Sequence, residues 1–220
     1  MILRSLFLLL ALCLPASSQG PIDPAKYDGP VKLACVGDSI TQGVGAKGHS
    51  WPKQAQAMLG EKWKVENFGL SATTLMNSGN KPYQNSKHFQ RAQDFKPDVV
   101  VIMLGTNDTK PNNWKHFEKD YEKDYRDLIA DFQKLESKPK IFLCLPPYIA
   151  QDGNWGIKNP NTKDQTPVIK KIAEELKLGL VDVYGSLEGK DELIPDKVHP
   201  NAEGATEIAK AVVSTLAPKQ

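Results

Sequence analysis

From residue 31 onward, short apolar runs alternate with stretches of helical periodicity. Val31 to Val36, Lys64 to Phe68, Asp98 to Leu104, Lys140 to Leu145 and Leu180 to Val183 read as five strands. The VVVIML run of the third has no polar alternation, as a strand buried on both faces requires. Trp51 to Leu59, closed by Gly60, reads as a helix, as do Ser86 to Phe95, Phe117 to Ser137, Asp164 to Lys177 and Asn201 to Leu216. In the third of these helices Tyr121, Tyr125, Leu128, Ile129, Phe132 and Leu135 recur at three- and four-residue steps, one face of a helix. Strands alternating with helices predict an α/β fold with a five-stranded parallel sheet covered on both faces. In such sheets a ligand crevice lies at the carboxyl ends of the strands.

Composition narrows the picture only modestly. The 220 residues are 40% hydrophobic and 25% charged, which suits one domain. A formal charge of +2 gives no field to recruit nucleic acid or an anionic membrane, so the expected partner is a small molecule or a neutral glycan. The start of the chain reads as a leader. Arg4 supplies its positive charge, Leu6 to Leu14 its apolar core, too short to span a bilayer, and Ala16 and Ser18 the small residues of a cleavage site. The expected division is residues 1–18 as signal peptide and 19–220 as a single domain, exported to the bacterial periplasm or medium with no membrane attachment after cleavage. A lipid anchor on Cys13 is disfavoured because bulky Leu12 precedes it. The remaining cysteines, Cys35 and Cys144, fall in strands expected not to be neighbours. A disulfide needs Cα atoms within about 7 Å, so free buried thiols are expected.

Polar clusters follow the strands. Gly37-Asp38-Ser39 ends the first, Asn67-Phe68-Gly69-Leu70-Ser71 the second, and Gly105-Thr106-Asn107-Asp108 the third; Asp196 to Asn201 precede the last helix. All would meet on one edge of the sheet. Acyl transfer by a serine needs a base, a group that orients the base, and donors for the developing oxyanion. Ser39, directly after a strand with Gly37 permitting a tight turn, fits the nucleophile. His199 fits the base, with Asp196 three residues earlier to hold its Nδ1–H. The backbone N–H groups of Ser39 and Gly69 and the side-chain amide of Asn107 fit the oxyanion donors. His49, His88 and His116 lack a carboxylate so placed and read as surface or groove residues.

These blocks, Gly-Asp-Ser-Ile-Thr at 37–41, Asn-Phe-Gly at 67–69, Gly-Thr-Asn-Asp at 105–108 and Asp-Lys-Val-His-Pro-Asn at 196–201, resemble in order the four blocks of SGNH (GDSL-like) hydrolases. The resemblance spans nearly the whole chain after the leader. It implies a flavodoxin-like three-layer α/β/α sandwich and ester hydrolysis through an acyl-enzyme, without metal or other cofactor. Ser39, Gly69, Asn107 and His199 match the four letters of that family's name. The wording around the blocks is similar to bacterial sialate O-acetylesterase-like and carbohydrate acetylesterase members, which implies removal of O-acetyl groups from a glycan.

Duller readings compete. Ser39 can serve as a helix cap, Asn107 and Asp108 as turn formers, and Asp196 as a surface carboxylate. Gly43-Val44-Gly45-Ala46-Lys47-Gly48 fits GxGxxG, but it neither follows the strand directly nor opens a helix, so no dinucleotide is expected. Asn107-Asp108-Thr109 is a glycosylation sequon on a residue wanted unmodified. Trp51, Trp155 and Asn154 lie in loops over the crevice, either facing sugar or packed beneath the loops. Another small-acyl esterase, such as a lysophospholipase or thioesterase, and a non-catalytic glycan-binding module remain the alternatives.

Overall fold

The computed structural model describes residues 19–150 and 153–217. The expected leader, residues 1–18, lies outside them. Five strands, β1 (Val31–Gly37), β2 (Trp63–Gly69), β3 (Val99–Met103), β4 (Lys140–Cys144) and β5 (Gly179–Val181), form one parallel sheet in the order β2-β1-β3-β4-β5. Eight helices are described: α1 (Ser39–Gln42), α2 (Trp51–Leu59), α3 (Lys87–Asp94), α4 (Pro111–Trp114), α5 (Phe117–Gln133), α6 (Asn159–Glu175), α7 (Val183–Leu187) and α8 (Ala202–Leu216).

Strand residues alternate between faces, and each face has its own core. Leu33, Cys35, Val99, Val101, Phe142 and Val181 meet Trp51 and Ala55 of α2 and Ile208, Ala209 and Val212 of α8. Ala34, Val36, Val100, Ile102, Ile141 and Leu143 meet Phe89 of α3, Tyr121, Leu128, Ile129 and Phe132 of α5, and Ile169 and Ile172 of α6. The result is the expected α/β/α sandwich. Cys35 and Cys144 are free and buried on strands separated by β3, and burial raises both thiols.

Several boundaries differ from expectation. The helix begun at Asp164 starts five residues earlier, because Pro160 occupies its first turn, where a missing N–H costs nothing. It tolerates Pro167 inside it and ends at Glu175, before Lys177 at φ 54°. The helix expected to reach Ser137 stops at Gln133, ahead of a left-handed Lys138. Val183, read as the end of a strand, instead opens α7, since the Asp182 carboxylate accepts from Gly185 N–H and caps a helix there.

β1 pairs with β2 as Gly37 to Gly69 and with β3 as Gly37 to Met103, so three strands end abreast. The order reverses between β1 and its two neighbours, which opens a crevice at this point. α1 leaves β1 and lies directly against the exit of β2. A Cβ on Gly69 would overlap the backbone of Thr41 and Gln42. Backbone cannot step aside as a flexible side chain can, so α1 itself would be displaced. Gly69→Ala should therefore cost about 1–3 kcal/mol, lowering Tm by roughly 3–9 °C, with activity lost alongside. Thermal unfolding followed by circular dichroism checks this, and an unchanged Tm would refute the packing role.

Candidate active site

Ser39 is the first residue of α1, 8% exposed, and Asp38 caps that helix by accepting from Ile40 N–H at 3.0 Å. Gly43, at φ 101°, closes it. Such a short helix directly after a strand leaves the Ser39 hydroxyl standing at the crevice with its own N–H unused by the helix. The turn is pinned from three sides. Asn67 Nδ2 donates to Thr41 O at 2.8 Å, Ser71 N–H to Gln42 Oε1 at 2.8 Å, and Trp51 Nε1 to Thr41 Oγ1 at 3.2 Å.

His199 comes from the loop before α8. Its Nε2 lies 2.9 Å from Ser39 Oγ, and its Nδ1 2.8 Å from Asp196 Oδ2. The second carboxylate oxygen of Asp196 accepts from Val198 N–H at 2.9 Å and His199 N–H at 2.6 Å. Partial burial pushes the Asp196 carboxyl up, but these hydrogen bonds and the imidazole outweigh it and hold the carboxyl below the usual range. With Asp196 ionised, the network assigns the proton to Nδ1 and leaves Nε2 to accept from the serine hydroxyl. Gly45 explains the glycine-rich stretch after α1: a Cβ there would come within 2.8 Å of Pro200 O and 3.0 Å of His199 Cβ. Gly45 lets one loop lie flat against the other.

Asn107 and Asp108 follow β3 and are buried. Asn107 Nδ2 donates to Thr73 O at 3.0 Å and lies 3.5 Å from Asp38 Oδ2. Asp108 receives Leu75 N–H at 2.9 Å and Met76 N–H at 2.8 Å, tying the exit of β2 to that of β3. Gln165 of α6 reaches under this turn, its Nε2 donating to Gly105 O at 2.8 Å while its Oε1 accepts from Tyr121 Oη at 3.1 Å. No periodicity distinguishes Gln165 from a surface glutamine, so the sequence carried no signal for it.

Three of the expected site residues are engaged by the protein itself, and for Trp51 the expectation of a loop face open to ligand is corrected. Trp51 is fully buried with its indole N–H bonded to Thr41, so it packs beneath the turn and meets no ligand. Asn154 is exposed beside the same loop, its Nδ2 donating to Asp196 O at 2.7 Å. The Gly69 N–H is engaged, 2.9 Å from Asn67 Oδ1. Further along the same loop, Ala72 is left-handed at φ 65° beside Thr73, and among the described residues its N–H has no acceptor. A left-handed non-glycine residue was the one structural sign available there, and the sequence does not display it. Trp155 stands beside the site, its ring centroid 5.3 Å from that of His199. His49 is exposed, His88 and His116 are half-buried, and none joins the Ser39–His199–Asp196 chain. Among the described residues, no three His, Cys, Asp or Glu side chains are grouped as a metal site.

A parallel sheet of this order, with a Ser–His–Asp chain at its strand ends, defines an α/β/α sandwich of the SGNH type. The chain belongs to the GDSL-like lipase/acylhydrolase family, whose model matches residues 35–206. It is 35% identical over 215 residues to an acetylxylan esterase of Xylanibacter ruminicola, covering 88% of this chain and 44% of that one. The chain thus spans less than half the length of the curated relatives it matches. An acetylxylan esterase from Geobacillus stearothermophilus, solved as a catalytic mutant, superposes with a TM-score of 0.66 at 22% identity, covering 87% of this chain and 96% of the other. A carbohydrate acetylesterase from Sinorhizobium meliloti does so with a TM-score of 0.64 at 19% identity, covering 84% and 97%.

The buried carboxyls have a consequence for stability. Burial raises Asp38 from 3.8 to about 6, against the hydrogen bonds from Ile40 N–H and Thr106 and the charges of His199 and Lys110. Burial also raises Asp108, to about 7, against the amides of Met76 and Leu75 and with Asp38 adding to the rise. Groups raised on folding stabilise fully below their unfolded value, and that contribution is lost as pH climbs through about 6 and about 7. Asp38→Asn, which cannot ionise, should therefore lose less stability than the parent between about pH 4 and about pH 7. Urea midpoints measured across that range check it; parallel curves would count against it.

Proposed function

We propose that this chain is a serine esterase that removes O-acetyl groups from a carbohydrate. The observation that carries this is the unbroken chain Ser39 Oγ, His199 Nε2, His199 Nδ1 and Asp196 Oδ2, with successive contacts of 2.9 and 2.8 Å. Ser39 Oγ attacks the ester carbonyl as its proton passes to His199 Nε2. Asp196 keeps the imidazole oriented and offsets the charge it gains. The tetrahedral oxyanion is met by the Ser39 N–H, the Asn107 side-chain amide and, in place of Gly69, the Ala72 N–H. Collapse breaks the ester C–O bond, and His199 returns the proton to the departing sugar hydroxyl. Water, deprotonated by the same imidazole, then attacks the acyl-serine; the acyl–Oγ bond breaks, His199 returns the proton to Ser39 Oγ, and acetate leaves.

Two observations favour a short acyl group on a sugar. The groups packed against the Ser39 turn are polar, Asp38 bonding to Ile40 N–H and Asn107 to Thr73 O and Asp38, whereas a long acyl chain calls for apolar lining. The relatives named above are acetylxylan and carbohydrate acetylesterases. We also read residues 1–18 as a cleaved signal and 19–220 as one exported domain, from the basic start, apolar core and small residues at 16 and 18. Among the described residues, no helix is long and apolar enough to cross a membrane.

On p-nitrophenyl esters the protein should prefer acetate to octanoate, and it should release acetate from acetylated xylan. Ser39→Ala should lose roughly 10⁴-fold or more in kcat, and Asp196→Asn roughly 10³–10⁴-fold. Preference for octanoate would favour the lysophospholipase or thioesterase class, and unimpaired Ser39→Ala would reduce the protein to a binding module. Expressed with its leader in a bacterial host, the chain should be recovered from the periplasm with an intact mass beginning at Gln19. A cytoplasmic, full-length product would refute export.

A further inference from the structure

Packing explains the turn around Trp155 poorly. Trp155 sits at φ 59° and ψ 22°, and Gly156 follows at φ 76°. Successive left-handed residues suit Asn, Asp or Gly, and a tryptophan Cβ crowds the backbone there. No core contact compensates, since Trp155 is 59% exposed. Its ring nevertheless stands 5.3 Å from that of His199, tilted by 58°. A strained residue that offers a large apolar face to solvent beside a reactive group points to a ligand.

The turn is also held firmly. Asn154 donates to the carbonyl of Asp196. A Cβ on Gly153 would lie 2.7 Å from Ile149 Cγ2 and 3.1 Å from Val198 Cγ2, and Ile149, Ile157 and Val198 form a small core of their own. The turn that carries the indole is therefore fixed to the same loop that bears Asp196 and His199.

Resting on the carbohydrate-esterase reading above, we propose that Trp155 is the platform for the sugar ring that carries the ester. His199 Nε2 must come within hydrogen-bonding reach of the leaving oxygen, so the ring attached to that oxygen lies alongside the imidazole, where the indole stands. Pyranose C–H bonds present a weakly positive, apolar face, and the face of an aromatic ring is the negative side of its quadrupole. With only two χ angles, the indole loses little entropy on contact.

The test compares acetylated xylobiose with triacetin, an acetate ester that has no ring. Trp155→Asn removes the platform with a residue tolerant of the left-handed turn, and Trp155→Tyr keeps an aromatic face. For Trp155→Asn, KM on acetylated xylobiose should rise about 3- to 15-fold, with kcat nearly unchanged and triacetin kinetics within about twofold of the parent. Trp155→Tyr should recover most of the loss. Equal losses on both esters would overturn the proposal, because the indole would then act by holding His199. No loss on either would overturn it too. A parent protein that cleaves triacetin but not acetylated xylobiose would instead defeat the carbohydrate reading on which the proposal rests.

Discussion

Three parallel strands that stop at the same level leave their exit turns no choice but to share one space. Gly37 is in register with Gly69 on one side and Met103 on the other, so the chains leaving β1, β2 and β3 emerge together. Each carries polar groups that would be costly to bury unpaired. They satisfy one another: Asn67 and Ser71 bond to the turn at Ser39, Asn107 to Thr73, and Asp108 to Leu75 and Met76. The serine is thus positioned chiefly by the sheet beneath it, and the alternating cores on the two faces serve the site by fixing that register.

This arrangement carries two carboxyls in the interior, and they do different work. Asp38 caps the four-residue helix that begins with Ser39, while Asp108 splices the β2 exit to the β3 exit through two backbone amides. Burial penalises the charged form of both. A neutral amide in either place would avoid that penalty but would offer one accepting oxygen where the carboxylate offers two. The penalty is tolerated because the alternative is a loop without its anchors, in the segment that lines the crevice.

Most of the scaffold was legible because burial on two faces writes itself as uninterrupted apolar runs, and β3 is the clearest case. The candidate triad was legible for a related reason: residues that follow strands converge whatever the loops do. What escaped reading depended on contacts between loops. Trp51 looks like any loop-edge aromatic until the turn above it is seen to need its indole N–H. Gly69 reads as a flexible donor, yet it is glycine because backbone presses on it and its N–H is taken by Asn67. Ala72 offers no sign at all, since nothing in an alanine announces a positive φ. Helix ends failed where a proline sat in a permitted first turn or where a lysine took the left-handed position glycine usually fills.

The loop bearing Asp196 and His199 faces a different difficulty, because no strand leads into it. Its geometry comes from three local devices: the Asp196 carboxylate folding back onto the amides of Val198 and His199, Asn201 capping α8 through Gly204 N–H, and Val198 clustering with Ile149 and Ile157. The last joins it to the segment after β4, which reaches it again through Asn154. A loop so supported can hold an imidazole to within hydrogen-bonding distance of a serine on another element only if its partner segment is itself seated. Substitutions of Ile149, Gly153, Asn154 or Ile157 therefore bear on the Ser39–His199 distance even where they touch neither residue. That coupling, more than any property of the triad, is why ring recognition and proton transfer would share one structural unit.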